Sequence, residues 1–217
     1  MAQLVVFGAS GMIGQRVLAE ALGRGHHVTA VVRDPKRIEG GEPNLAVLAG
    51  DVTDPGTVTR VAQGEDAVIA CVSRRDPGID QKAAYRAVGD GLVNGLRALG
   101  DDAPRLVLVG GAGSLEVAPG RRLLDQPGFP EAYKAEALAH ADVLDRMREV
   151  KDVKWTYASP AAEIAPGERT GVFRTSGDAL LSDGYGRSFI TAEDFAIALV
   201  DEAESGAHVG ERFTAAY

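Results

Sequence analysis

Cysteine is almost missing from this chain: of 217 residues only Cys71 carries a thiol. That excludes an internal disulfide and a cysteine-rich zinc site. Positive charge is also in deficit. Lys and Arg total 23 against 31 for Asp and Glu, a formal net charge of −8, and no basic run interrupts the balance. An acidic chain of this kind suits neither nucleic acid nor an anionic membrane surface as a partner. No apolar run approaches the roughly 18 residues of a membrane span. The start, Met1-Ala2-Gln3-Leu4, has no charged leader region and runs straight into a strand pattern. The expectation is a cytoplasmic protein with no targeting segment. Nothing repeats at a period of roughly 20–50 residues, which excludes solenoids and propellers. No His, Asp and Glu cluster has metal-ligand spacing, so no metal is expected.

What the chain has in excess is glycine, 27 residues, where about 15 would be usual for this length. Such an excess means many tight turns, or backbone that must approach a ligand closely. Hydrophobic residues at 45% and charged residues at 25% are the ordinary globular balance. The length fits one domain, residues 1–217.

Strand and helix patterns alternate along the chain. Residues 4–7 form a short, uniformly apolar run, the mark of a parallel strand buried on both faces. In 11–22, Ile13, Val17, Leu18 and Leu22 fall on one helical face. Further strands are expected at 28–32, 45–49, 67–72, 106–109, 153–157 and 209–214, with weaker signals at 172–174 and 179–181. Asp54-Pro55 opens a short helix, Asp as cap and Pro at the first helical position. Longer helices are expected at 80–99, despite Gly89, Gly91 and Gly95, and at 130–150. Thr191-Ala192-Glu193-Asp194 resembles a capping box, with Asp for the usual Glu, opening a helix to about 204. Residues 110–129 read as loop. Residues 158–187 are irregular, either a flap over a substrate or a surface excursion. Six to seven strands separated by helices argue for an α/β fold: a doubly wound parallel sheet of Rossmann type with helices on both faces.

Gly8-Ala9-Ser10-Gly11-Met12-Ile13-Gly14 follows the first strand and opens the first helix. This G-x-x-G-x-x-G loop has the strand–turn–helix context of a dinucleotide-binding fingerprint. Gly8 permits the tight turn, Gly11 lets backbone approach a pyrophosphate, and Gly14 lets helix pack on strand. Ser10, Met12 and Ile13 belong to the same cradle, because the helix N-terminus supplies amide donors and positive dipole to the phosphates. The end of the second strand reads Val32-Arg33-Asp34-Pro35-Lys36-Arg37. An NAD site wants a carboxylate there for the ribose 2′-hydroxyl. Arg33 instead suits a 2′-phosphate, and Pro35 is expected to turn Asp34 away, so NADP(H) is favoured over NAD(H). Asp51 and Val52, after the third strand, could meet the adenine amino group and ring face; alternatively Asp51 caps a turn.

Together these residues resemble the atypical short-chain dehydrogenase/reductases, the small NAD(P)H-binding branch with NmrA-like proteins and NADH–flavin reductases. Further matching pieces are Leu108-Val109-Gly110-Gly111-Ala112-Gly113-Ser114, Trp155-Thr156-Tyr157 leading into Ser159-Pro160-Ala161, and the 190–194 helix start. The resemblance spans nearly the whole chain. It implies that Ala70, Cys71 and Val72 line the ribose side, that Gly110 and Gly111 approach the nicotinamide half, and that Ser159, Pro160 and Ala161 flank the nicotinamide amide. Cys71 reads as a small apolar residue there rather than a reactive thiol.

The chain departs from that family's usual acid. Tyr-x-x-x-Lys is absent: four residues beyond Tyr85, Tyr133, Tyr157 and Tyr185 stand Gly89, Ala137, Ala161 and Phe189. Tyr133-Lys134 is the nearest substitute, but adjacent helical residues point ~100° apart. Lys134 could reach a cofactor ribose and Tyr133 a substrate, or the two pack and solvate. His140, seven residues after Tyr133 on the same face, is a candidate proton donor or an inert surface histidine. Reduction of a flavin or quinone-like ring needs no fixed tyrosine, because water can protonate a stabilised anion. The first reading is therefore an NADPH-dependent reductase passing hydride to a conjugated small-molecule acceptor, with flavin a possible substrate. The alternative is an NADP(H)-binding redox sensor of NmrA type without turnover. An epimerase or dehydratase is disfavoured by the missing dyad and the small C-terminal portion. Charges on the outer faces of 80–99 and 130–150 leave monomer or homodimer open.

Overall fold

Leu4, Val5, Val6 and Phe7 have essentially no exposure, because their strand lies in the middle of a sheet covered on both faces. Alternate side chains serve the two covers. Leu4 and Val6 pack with the first and last helices, Val5 and Phe7 with the three between. The computed structural model describes residues 1–74 and 78–217. In chain order the elements are β1 (Gln3–Phe7), α1 (Met12–Gly23), β2 (His27–Val32), β3 (Leu45–Ala49), α2 (Pro55–Ala62), β4 (Ala67–Ala70), α3 (Gln81–Arg97) and β5 (Arg105–Val109). Then come β6 (Glu116–Ala118), β7 (Arg121–Arg122), α4 (Glu131–Glu149), β8 (Trp155–Pro160), β9 (Glu163–Ala165), β10 (Arg174–Ser176), β11 (Phe189–Thr191), α5 (Ala192–Ser205) and β12 (Glu211–Ala216).

The central sheet runs β3-β2-β1-β4-β5-β8-β12-β10. All neighbours are parallel except β10, which pairs antiparallel with β12 at the edge. This is the Rossmann-like α/β fold, with eight strands rather than six or seven. Three of the parallel strands shift by two residues or more: the last spans Glu211–Ala216 rather than 209–214, and β8 begins at Trp155 rather than 153. The fourth strand stops at Ala70, not residue 72, and β8 runs on past Tyr157, pairing Ser159 and Pro160 with Thr214 and Ala215. The edge strand lies at 174–176, two residues beyond the expected 172–174, and 179–181 contributes a single bridge from Ala179 to Glu116.

Local chemistry explains the helix starts. Asp54 accepts the Gly56 and Thr57 N–H groups at 3.2 and 3.0 Å, and Asp80 accepts that of Ala83 at 3.1 Å. Helix α3 needs Gly91 and Gly95 because it is pressed against α2 and the segment before it: a Cβ on Gly91 would stand 2.2 Å from the Val52 carbonyl oxygen and one on Gly95 2.8 Å from that of Pro55. Thr191 caps α5, its hydroxyl accepting the Asp194 N–H at 3.1 Å. The box is not closed as expected, however, because the Asp194 side chain turns instead to the 170–171 backbone. Two short ribbons, β9–β11 and β6–β7, stand beyond the carboxyl ends of the sheet strands. Among the described residues no helix is long and apolar enough to cross a membrane, and no group of three potential metal ligands occurs.

Candidate functional site

A cleft of about 1340 Å³ lies along the carboxyl ends of β1, β2, β4, β5 and β8, the crevice where open α/β sheets bind ligands. Its floor is the glycine loop. Gly8 has φ +73°, which only glycine adopts at no steric cost. A Cβ on Gly8 would lie 2.4 Å from the Cys71 carbonyl oxygen, and one on Gly14 only 2.2 Å from the Gly8 carbonyl oxygen. Gly11 caps α1 without any side-chain hydrogen bond, and no acidic residue sits in the first turn. The unbonded N–H groups and the positive helix end are thus left for an anion. Gly8, Ser10, Gly11, Met12 and Ile13 border the cleft, whereas Gly14 lies beneath it as the packing glycine. This cradle fits a dinucleotide pyrophosphate: bare backbone, open amides and no competing carboxylate.

At one end of the cleft stand Arg33, Asp34 and Arg37, with Asp51, Val52 and Arg74 opposite. Both carboxylates are engaged locally. Asp34 accepts the Lys36 N–H at 3.1 Å, closing the turn at Pro35–Arg37 as the proline suggested, although the residue still borders the cleft. Asp51 accepts the Thr53 N–H at 2.9 Å and its hydroxyl at 2.8 Å. The Thr53 N–H holds the Asp51 carboxyl below its usual range against the opposing effect of burial, and the Arg74 and Arg33 charges add to it. Asp51 is therefore a turn cap that also faces the cleft; the two alternatives coexist.

Midway, Cys71 and Val72 border the cleft, but Ala70 is fully buried inside the sheet and does not reach it. Burial pushes the Cys71 thiol up to about 12. At pH 8 a thiolate fraction of roughly one in ten thousand is expected. A disulfide reagent should label the native chain far more slowly than it titrates the one thiol after denaturation; equally prompt native labelling would show that the thiol keeps an ordinary thiolate fraction.

At the other end Gly110, Gly111, Pro160 and Ala161 border the cleft. Two of these glycines have packing partners. A Cβ on Gly110 would lie 2.0 Å from the Tyr157 ring, and one on Gly111 3.1 Å from His140 Cδ2. Tyr157 is fully buried and its hydroxyl donates to the His140 carbonyl at 2.9 Å. Ser159 does not reach the cleft; it is buried and donates to the Gly111 carbonyl at 3.0 Å, fixing the loop behind the site. Lys134 is drawn away as well, its ammonium donating to the Leu124 carbonyl and lying 5.5 Å from the Phe129 ring centre. Tyr133 stands on the rim, 57% exposed, while His140 lies inside. Helices α3 and α4 set Tyr85 and Glu136 beside His140, and Arg187 and Phe189 close the far wall. Sequence reading did not single out Arg74, Tyr85, Glu136, Arg187 or Phe189. They come from four separate segments, and no local spacing links them.

A profile of the NAD(P)H-binding family matches residues 8–205. Among curated proteins, the uncharacterized protein YwnB of Bacillus subtilis is 37% identical over 214 residues, covering 96% of this chain and 95% of its own. A solved Burkholderia pseudomallei structure, described as a "putative exported protein", is 45% identical with TM-score 0.89, and each chain covers 100% of the other. A Streptococcus pneumoniae structure, described as a "putative NADH-flavin reductase", is 34% identical with TM-score 0.87, covering 100% of this chain and 99% of that one. The chain belongs to the NAD(P)H-binding family.

Proposed function

We propose that this member of the NAD(P)H-binding family is an NADPH-dependent reductase that delivers hydride to a conjugated small-molecule acceptor. The observation that carries the reading is the continuity of one cleft from Arg33, past the glycine cradle, to the aromatic wall at Phe129, Tyr133 and Phe189. When bound, a reduced nicotinamide supplies hydride from its ring. The chain's own task is orientation and exclusion of water. The open amides of the α1 start hold the phosphates, and Val52 and Cys71 offer apolar contact on the adenosine and ribose side. Gly110, Gly111, Pro160 and Ala161 leave a flat floor at the opposite end. Phe129 and Phe189 there give a planar acceptor room to stack. The similar Streptococcus pneumoniae structure, described as a "putative NADH-flavin reductase", supports an acceptor of that shape.

Preference for NADPH rests on charge. Arg33 and Arg37 border the adenosine end, and the Arg74 charge reaches Asp51 beside them. Asp34 and Asp51, the two carboxylates that could take a ribose 2′-hydroxyl, already accept hydrogen bonds from Lys36 and Thr53. A guanidinium bond to a 2′-phosphate is charge-assisted, so Arg33→Ala should weaken NADPH binding about 10- to 100-fold. NADH binding should stay within about threefold, and Arg33→Glu should reverse the preference. The assay is NADPH and NADH oxidation with FMN, riboflavin and a simple quinone, alongside binding of each dinucleotide by fluorescence. Turnover with NADPH well above NADH supports the proposal. Tight NADP(H) binding with no turnover of any acceptor would overturn the reductase and leave a dinucleotide sensor.

A further inference from the structure

Three side chains meet at the acceptor end of the cleft. Tyr85 comes from α3; Glu136 and His140 stand one turn apart on α4. The Tyr85 ring lies 4.2 Å from the His140 ring, centre to centre, tilted by 47°. Its hydroxyl donates to Glu136 Oε1 at 2.8 Å and accepts the Arg74 N–H at 3.1 Å. The same Glu136 oxygen lies 3.9 Å from His140 Nε2. All three border the cleft, and His140 rests on Gly111 at the end of β5. Tyr85 is only 3% exposed, and the side chains of Glu136 and His140 are 16% and 13% exposed. Sheltered titratable groups gathered in a cleft mark a candidate functional site.

From this arrangement we propose that Tyr85, Glu136 and His140 form the proton-delivering group of the cleft, and that its acceptor is a conjugated carbonyl compound of quinone or enone type. The proposal rests on the reductase reading above and supplies the acid that the missing Tyr-x-x-x-Lys would have provided. As hydride arrives on the acceptor's conjugated system, the carbonyl π bond breaks and its electron pair settles on oxygen. That oxygen takes the proton of His140 Nε2: an N–H bond breaks, an O–H bond forms, and the imidazole is left neutral. Solvent at the cleft mouth returns the proton. His140 is the catalytic residue. Glu136 is a positioning residue whose carboxylate, 3.9 Å from Nε2 and beyond hydrogen-bond reach, favours the imidazolium by its charge. Tyr85 fixes that carboxylate by donating to it. Burial pushes the Tyr85 phenol above its usual range and the Glu136 charge adds to this, so the phenol remains a donor at neutral pH.

The test uses two readouts. The first is binding of 4-nitrophenol to the NADP⁺-loaded and the empty protein, followed by the phenolate absorbance; the phenolate stands in for the developing oxyanion. The second is reduction of a simple naphthoquinone by NADPH. His140→Gln keeps a similar size but carries no acidic proton. It should weaken phenolate binding about 10- to 100-fold, the effect of losing a charge-assisted hydrogen bond. It should lower kcat for the quinone about 100-fold or more, as expected for loss of a general acid. Glu136→Gln should reduce both by smaller factors, and Tyr85→Phe less again, with NADPH affinity kept within about threefold in each. If the wild type reduces no acceptor yet binds the phenolate through His140, the reductase reading fails and the proton-delivering group stands. Phenolate binding and quinone turnover that both survive His140→Gln would overturn the proposal.

Discussion

Gly14→Ala is expected to cost both fold stability and dinucleotide binding. The added Cβ would stand 2.2 Å from the Gly8 carbonyl oxygen and 2.8 Å from the Ala9 Cα. Both are backbone atoms, so no flexible side chain can yield. Relief requires α1 to move off β1, yet Val17, Leu18 and Ala21 of that helix are buried against the sheet. Overpacking against fixed backbone lies at the upper end of its usual range, about 3 kcal/mol. For a chain of this length that lowers the melting temperature by roughly 6–12 °C. The same displacement carries the α1 amides away from the phosphate position. Losing one or two charge-assisted contacts weakens NADPH binding roughly 100-fold. Gly23→Ala, at the last residue of the same helix, is the control. A Cβ there meets nothing within 4 Å, so melting temperature and affinity should hold. Calorimetric melting and fluorescence titration of both variants decide the matter. A Gly14→Ala chain that melts and binds like the wild type would show that helix and loop are not locked together.

That loop was legible in the sequence because all of its chemistry is local: strand, turn and helix start lie within a dozen residues. The same holds for the cap at Asp54, which bonds N–H groups two and three residues ahead. The central strands were legible for a different reason. A strand covered on both faces must be apolar throughout, and 4–7 and 106–109 are. β10 gave only a weak signal, placed two residues early at 172–174, because Arg174-Thr175-Ser176 is a short polar edge that pairs, among the described residues, with β12 some forty residues away. Pro160 concealed the extension of β8, since proline usually ends a strand; here it is the last residue, paired with Ala215. In the site, local spacing misled at Lys134. Its neighbour Tyr133 does face the cleft, but the nearby Leu124 carbonyl captures the ammonium. Gly110 suggested close approach to a ligand, and it does border the cleft, yet its bare face is also filled by Tyr157 from β8. Tyr85 and Glu136 are 51 residues apart in sequence; only the packing of α3 on α4 brings them to one carboxylate.

Asp194→Ala is the second change expected to have a large effect, and it bears on residues 170–171, outside the cleft lining. Asp194 has no exposed surface. Its carboxylate accepts the Thr170 and Gly171 N–H groups at 2.8 and 2.9 Å, the Tyr217 hydroxyl at 2.8 Å, and the Thr170 hydroxyl. One side chain thus ties the 170–171 backbone and the chain end to the first turn of α5. Truncation would strand these donors, at a cost of about 3–4 kcal/mol, with limited proteolysis expected to open near residue 170. Burial alone would raise the Asp194 carboxyl, but the Thr170 hydroxyl, the Gly171 N–H and the Tyr217 hydroxyl outweigh it, and the group lies below its usual range. The sign of the pH dependence follows. A depressed folded value means that the carboxylate stabilises the protein fully above the unfolded value of about 3.9. That stabilisation is lost as pH falls from there toward the folded value. Asp194→Asn keeps the shape and one acceptor but not the charge. Its deficit in unfolding free energy should be constant between about pH 5 and 8 and shrink below about pH 4, where the wild type gives up the same interaction. Urea unfolding of the two chains across that range measures the difference directly. A deficit that stayed level down to pH 3 would mean that the loop is held by shape alone, and that the buried charge contributes nothing to it.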